Sequence, residues 1–218
     1  MPRLLEVELW TVKLRRGALA ALPATVEWLR IGDSRLPAKS FVPTEPGPAG
    51  QATISRMEEV DLSDSMQLTC TEVHDIATAW PHITTLKMNG CVHTAFVQRN
   101  LFLQTVQNLD QLQELEANGV QLSDLDIVDI CQNLSGTLRR LSIADCPLTN
   151  LGALWIASTL TNLRSLDISG CRPRSPVSFV LFAHLRRRLR YLNLSSTNVY
   201  NSTVQLLKLC MPACRVVH

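Results

Sequence analysis

Apolar residues recur along the chain in one six-residue arrangement, apolar-x-x-apolar-x-apolar. The clearest copies are Leu138/Leu141/Ile143, Leu163/Leu166/Ile168 and Leu189/Leu192/Leu194. Ile83/Leu86/Met88, Leu112/Leu115/Ala117, Met57/Val60/Leu62, Val26/Leu29/Ile31 and Leu4/Val7/Leu9 repeat it. Copies begin at residues 4, 26, 57, 83, 112, 138, 163 and 189, with a truncated one near Ala213, at steps of 22 to 31 residues. Apolar residues on either side of one polar residue predict a very short strand with one face inward. Such a strand cannot bury its face alone, so stacked copies must share a core. Parallel neighbours need a crossover, usually helical and right-handed. Thr69-Cys-Thr-Glu72 and Ser202-Thr-Val-Gln205 have the form of a capping box at the expected helix starts, and Ser123-Asp-Leu-Asp126 is a looser version. Leu151-Gly-Ala-Leu154-Trp-Ile156 continues with helical spacing. The expectation is a single α/β domain over residues 1–218, interrupted by a Pro/Gly-rich insertion at 37–56 in which an exposed loop replaces or displaces a helix.

Cysteines follow the same repeat. Cys91, Cys146 and Cys171 stand eight residues after the first apolar residue of their copies, where other copies carry Ser34, Ser65, Val120 and Thr197. Cys131 and Cys210 fall near helix ends, where a core thiol is expected. On "LRSLDISGC" and "LRRLSIADC" the chain resembles the leucine-rich repeat family, and within it the cysteine-containing subclass. That resemblance implies a solenoid of right-handed horseshoe form, with parallel strands on the concave face and helices on the convex face. In length and class it is similar to short members without an F-box, such as ATP synthase subunit s-like proteins, some of which are mitochondrial.

Composition narrows the class. With 46% apolar and 18% charged residues the chain can bury a core. No apolar run approaches the ~18 residues needed to cross a bilayer. Glu6 and Glu8 break the apolar start, which is unlike a secretory signal or an Arg-rich transit peptide. Seven cysteines, an odd number, read as reduced thiols of an intracellular protein, cytoplasmic or mitochondrial and not secreted.

The net charge of +2 hides an asymmetry. Residues 138–218 hold eleven basic and two acidic residues (11 − 2 = +9), and residues 1–137 hold ten and seventeen (10 − 17 = −7). Stacked strands let the inner face be read in columns about 5 Å apart. The second repeat position runs Leu5, Glu27, Glu58, Thr84, Gln113, Arg139, Arg164, Arg190. The third runs Glu6, Trp28, Glu59, Thr85, Glu114, Arg140, Ser165, Tyr191, and the fifth Glu8, Arg30, Asp61, Lys87, Glu116, Ser142, Asp167, Asn193. The candidate partner-binding residues are therefore Arg139, Arg140, Arg164, Arg190 and Tyr191 with Trp28, Glu58, Glu59 and Asp61. The arginines suit an acidic protein segment, and Asp167 is placed to pair with one or two of them. Trp28 and Tyr191 are of the types enriched as interface anchors. The other reading is a solvated, salt-screened face.

Off the strands, Arg172, Arg174, Arg186, Arg187 and Arg188 form a second basic group, able to meet RNA phosphate or anionic lipid, or simply to complement a helix end. Cys210-x3-Cys214-x3-His218 lacks the four-ligand spacing of a structural zinc site, so no metal is expected. No phosphate loop, dinucleotide fingerprint or nucleophile–base pattern is present, so no cofactor and no catalysis are expected. The function expected is a non-catalytic interaction scaffold, an accessory or assembly subunit of a multiprotein complex whose other subunits are its partners. The short run before Leu4 and the half-repeat at the end suggest that partners cover one or both ends. Two alternatives are a substrate-recognition subunit of a ubiquitin ligase and a ribosome- or RNA-associated subunit.

Overall fold

The computed structural model describes residues 4–15, 17–34, 56–65, 68–91, 99–171 and 176–218. Most of the 37–56 insertion lies outside them, as do Arg172 and Arg174. The chain forms two compact units, Met1–Leu112 and Gln113–His218. The first contains strands β1 (Glu6–Trp10), β2 (Trp28–Gly32), β3 (Glu59–Asp61) and β4 (Thr85–Lys87), with helices α1 (Cys70–Ala79) and α2 (Arg99–Asn108). The second contains β5 (Glu114–Glu116), β6 (Arg140–Ser142), β7 (Ser165–Asp167), β8 (Tyr191–Asn193) and β9 (Arg215–Val217), with α3 (Asp124–Leu134), α4 (Asn150–Thr159) and α5 (Asn201–Cys210).

Each strand coincides with one copy of the six-residue pattern, and β9 with the truncated copy. Within each unit successive strands pair in parallel and in repeat register, as Val60 with Leu86 in β3–β4 and Leu141 with Leu166 in β6–β7. The strand proper is repeat positions three to five. Positions one, four and six are buried in every copy from the second to the eighth, from Val26, Leu29 and Ile31 to Leu189, Leu192 and Leu194. The copy at β1 is the exception: Leu4 is exposed, and Val7 and Leu9 are half-buried.

Crossovers vary more than strands. Between β1 and β2 the described residues form a 3-10 turn, Leu19–Ala21, in place of an α-helix. Helix α1 is capped as its sequence predicts: Thr69 accepts from the Thr71 N–H at 3.2 Å, and Glu72 accepts from the Thr69 N–H at 2.8 Å. Ser123 and Asp126 cap α3 in the same reciprocal way. The Asp124 carboxylate, at the start of α3, accepts the Thr149 N–H that precedes α4 at 2.9 Å, so one helix start supports the next. Ser202 does not cap α5. The helix begins at Asn201 with Tyr200 as its N-cap and no side-chain cap bond, which leaves Ser202 inside the first turn. The segment Pro176–Leu185 before β8 is a run of 3-10 turns packed against α4 and α5. At three residues per turn, positions i and i+3 eclipse. That stacks Phe179, Phe182 and Leu185 on one face, and all three are buried.

The eighth repeat position carries a conformation that the apolar pattern does not reveal. Thr11, Asp33, Asp64, Gly90, Gly119, Asp145, Gly170 and Ser196 all have positive φ, between 43° and 74°. Two of the Asp side chains at this position lie over the glycine of the following copy, Asp64 over Gly90 and Asp145 over Gly170. A Cβ on Gly170 would collide with the Asp145 carboxylate, whereas one on Gly119 would meet nothing within 4 Å. Gly119→Ala is expected to cost only the left-handed penalty of about 1–2 kcal/mol. Gly170→Ala adds displacement of Asp145 and should melt several degrees lower than Gly119→Ala. Equal melting temperatures would show that Asp145 is not held there.

Candidate protein-binding faces

In the second unit the strand ladder aligns the arginines of repeat position two. The Arg164 N–H donates to the Arg139 carbonyl (2.7 Å), that of Arg190 to Arg164 (2.7 Å), and that of Arg215 to Arg190 (2.8 Å). Arg139, Arg164 and Arg190 thus follow one another strand by strand, and Arg215 stands one position further along its strand, in register with Tyr191. Their guanidinium groups differ in surroundings. The Arg139 Nε donates to the Gln113 side chain (3.2 Å), and Arg190 donates to the Arg187 and Leu189 carbonyls. Arg140 forms an ion pair with Glu114. Arg164 and Arg215 are exposed and make no side-chain bond among the described residues. None of Arg139, Arg164, Arg190 and Arg215 has a carboxylate within ion-pair distance among them.

Asp167 does not neutralise this row. Its carboxylate accepts from the Ser169 N–H (2.9 Å) and hydroxyl (2.7 Å) and from the Asn193 amide (2.9 Å). Tyr191, half-buried, stands beside Arg215 in register. Arg215 was absent from the sequence-derived site, although its place in the truncated copy was legible. Arg186, Arg187 and Arg188 are exposed in the turn after the 3-10 run.

In the first unit the fifth position alternates in sign. Arg30 lies between Glu8 (3.7 Å) and Asp61 (3.4 Å), with its guanidinium 4.7 Å from the Trp10 ring centroid, and Lys87 bonds Glu59 at 2.6 Å. The Trp10 indole donates to Glu8 at 2.7 Å. Asp61, predicted to face a partner, is instead buried. Its Oδ1 accepts the Ser63 N–H at 2.9 Å, closing an Asx turn. Glu58 is exposed, and Glu59 and Trp28 are half-buried. With Leu5, Glu6, Glu27, Thr84 and Thr85 these three line an open depression of about 290 Å³.

The thiols lie behind the strands and serve another purpose. Cys91 donates to the Leu62 carbonyl (3.2 Å), Cys146 to Ala117 (3.5 Å) and Cys171 to Ile143 (3.2 Å). Ser65 donates to Ile31 at 2.9 Å. In each case the ninth position satisfies the sixth-position carbonyl of the preceding copy, so thiol and hydroxyl interchange. Burial pushes the Cys91 and Cys171 thiols up to about 12 and Cys131 to about 11, which makes them poor nucleophiles. Cys210, expected in the core, is exposed. Among the described residues no group of three or more His, Cys, Asp or Glu could hold a metal ion, and no helix is long and apolar enough to cross a membrane.

Comparison with known proteins agrees with this architecture. No family model matches the chain. A ribonuclease inhibitor from Sus scrofa is 37% identical over 93 residues, 40% of this chain and 20% of that protein. An internalin from Listeria monocytogenes aligns over 89% of this chain and 54% of its own, with a TM-score of 0.54 and 14% identity. A leucine-rich repeat protein from Leptospira interrogans aligns over 89% of this chain and 43% of its own, at 0.52 and 16%.

Proposed function

We propose that this chain, whose fold is that of the leucine-rich repeat proteins, is a non-catalytic interaction scaffold that binds an acidic protein segment on the strand face of its second unit. Repeat folds of this kind work through extended strand surfaces. The observation that carries the reading is the row Arg139, Arg164 and Arg190, in register and, like the neighbouring Arg215, without carboxylate partners among the described residues. Adjacent like charges in a parallel ladder repel. A partner carboxylate relieves that repulsion and gains bidentate guanidinium contacts. Tyr191 stands beside the row as a rigid aromatic contact of the type favoured at interfaces. In this reading the chain is an accessory or assembly subunit of an intracellular complex, where its unbridged thiols stay reduced.

The test is native co-purification with mass spectrometry, on the wild type and on Arg139→Glu/Arg164→Glu/Arg190→Glu. A stable partner should co-purify with the wild type and be lost from the triple variant. Circular dichroism should show the variant folded, since these side chains lie outside the core. An unchanged partner set from the folded variant would refute the reading. Partners released by nuclease treatment would favour RNA instead.

A further inference from the structure

We propose that the strand face of the first unit is a second docking surface, for an extended basic peptide segment whose arginine or lysine side chain enters the depression beside Trp28, between Glu27 and Glu58. It is independent of the arginine row of the second unit and has the opposite sign.

The charge pattern of this face is selective. Glu27 and Glu58 occupy neighbouring strands at the same repeat position, the Glu58 N–H donating to the Glu27 carbonyl at 2.8 Å. Glu6 stands beside Trp28 in register. Among the described residues the carboxylates of Glu6, Glu27 and Glu58 have neither ion pair nor hydrogen bond. The other acids of these strands are ion-paired: Glu8 and Asp61 with Arg30, and Glu59 with Lys87. Crowded carboxylates are therefore confined to the mouth of the depression, where like charges on adjacent strands are unfavourable until a cation arrives.

Shape and apolar content indicate which cation. The carboxylates do not converge as a metal cluster would, because Trp28 and the exposed Leu5 lie among them. A long side chain matches that arrangement. Its methylenes cover Trp28 and Leu5 while its charged head reaches the carboxylates. The half-exposed Trp28 ring offers a face for a cation–π contact, and its indole N–H, without a hydrogen bond among the described residues, can donate to a peptide carbonyl. Phosphate and nucleic acid are repelled by the same acids, so the occupant is a basic protein segment.

The probe is a fluorescein-labelled octapeptide of alternating Arg and Ser, read by fluorescence anisotropy, with an alternating Glu and Ser peptide as its control. The Arg peptide should bind, and the Glu peptide should not. Glu58→Gln, Glu27→Gln and Trp28→Ala should each weaken binding by about five- to tenfold. Asp110→Asn, which removes an exposed acid elsewhere in this unit, should leave it unchanged. Trp28→Phe guards against loss of structure, because it retains an aromatic face and should keep binding within about threefold of wild type. No binding of the Arg peptide up to about 1 mM would overturn the proposal. So would equal losses from Asp110→Asn and Glu58→Gln, or indifference to Trp28→Ala. None of these outcomes touches the acidic-partner reading, which rests on other residues.

Discussion

Phe182→Ala is expected to destabilise the second unit by about 3–5 kcal/mol, the range for removing a fully buried aromatic ring. Phe182 is 0% exposed, and its ring centroid lies 6.3 Å from that of Phe179, which is also 0% exposed. Both stand on the one apolar face of the 3-10 run that packs against α4 and α5. A repeat protein is held by contacts between neighbouring copies, so a cavity here loosens two crossovers at once. For a unit of this size, the loss corresponds to a fall in Tm of more than about 10 °C. Guanidinium unfolding of Phe182→Ala beside His184→Ala separates the effects. His184 is exposed, and its replacement should fall within about 0.5 kcal/mol of wild type. Similar values for the two variants would mean that the 3-10 face is not part of the core.

The parts of the fold that were legible in the sequence are those fixed by burial. Leu141, Leu166 and Leu192 recur because a parallel stack needs one inward residue at the centre of every strand, and nothing local competes with that need. The second-position column was legible for the same reason: register follows from the inward leucines, and Arg139, Arg164 and Arg190 follow from register. Local side-chain hydrogen bonds were not legible. Asp61 and Asp167 look like outward charges at position five, yet each turns back to an N–H two residues on, from Ser63 and Ser169. Asn193 does the same with Ser195 at 3.1 Å. Short polar side chains compete for nearby backbone in this way, and apolar spacing carries no sign of it. Ser202 failed as a cap because the helix starts two residues too early for it, with Tyr200 at the cap position. Cys210 was misplaced by analogy with Cys131. The Cys131 thiol interacts with Thr159 across the α3–α4 packing, whereas no further helix among the described residues packs outside α5.

The buried thiols also set how stability responds to alkali. A thiol held protonated in the fold ionises once the chain unfolds, so alkaline pH favours the unfolded state. Cys131 and Cys171, both in the second unit, rise from 9.0 to about 11 and about 12, mainly because burial removes the thiolate from water. Below pH 9 both states are protonated, and the full stability is present. Above pH 9 only the unfolded thiols lose their protons, and each costs about 1.4 kcal/mol per pH unit until its folded value is reached. By pH 11 the pair removes on the order of 5 kcal/mol from the second unit, enough to unfold a domain of ordinary stability. The decisive measurement is a difference between wild type and a variant without the Cys171 thiol. Cys171→Ser keeps a donor for the Ile143 carbonyl, as Ser65 does for Ile31 at 2.9 Å, but its hydroxyl does not ionise. Urea unfolding at half-unit steps from pH 8 to pH 11 should show a shallower fall for Cys171→Ser than for wild type, by about 1.4 kcal/mol per pH unit. Parallel curves would mean that the Cys171 thiolate is tolerated inside the fold, and that its carbonyl bond does not keep it neutral.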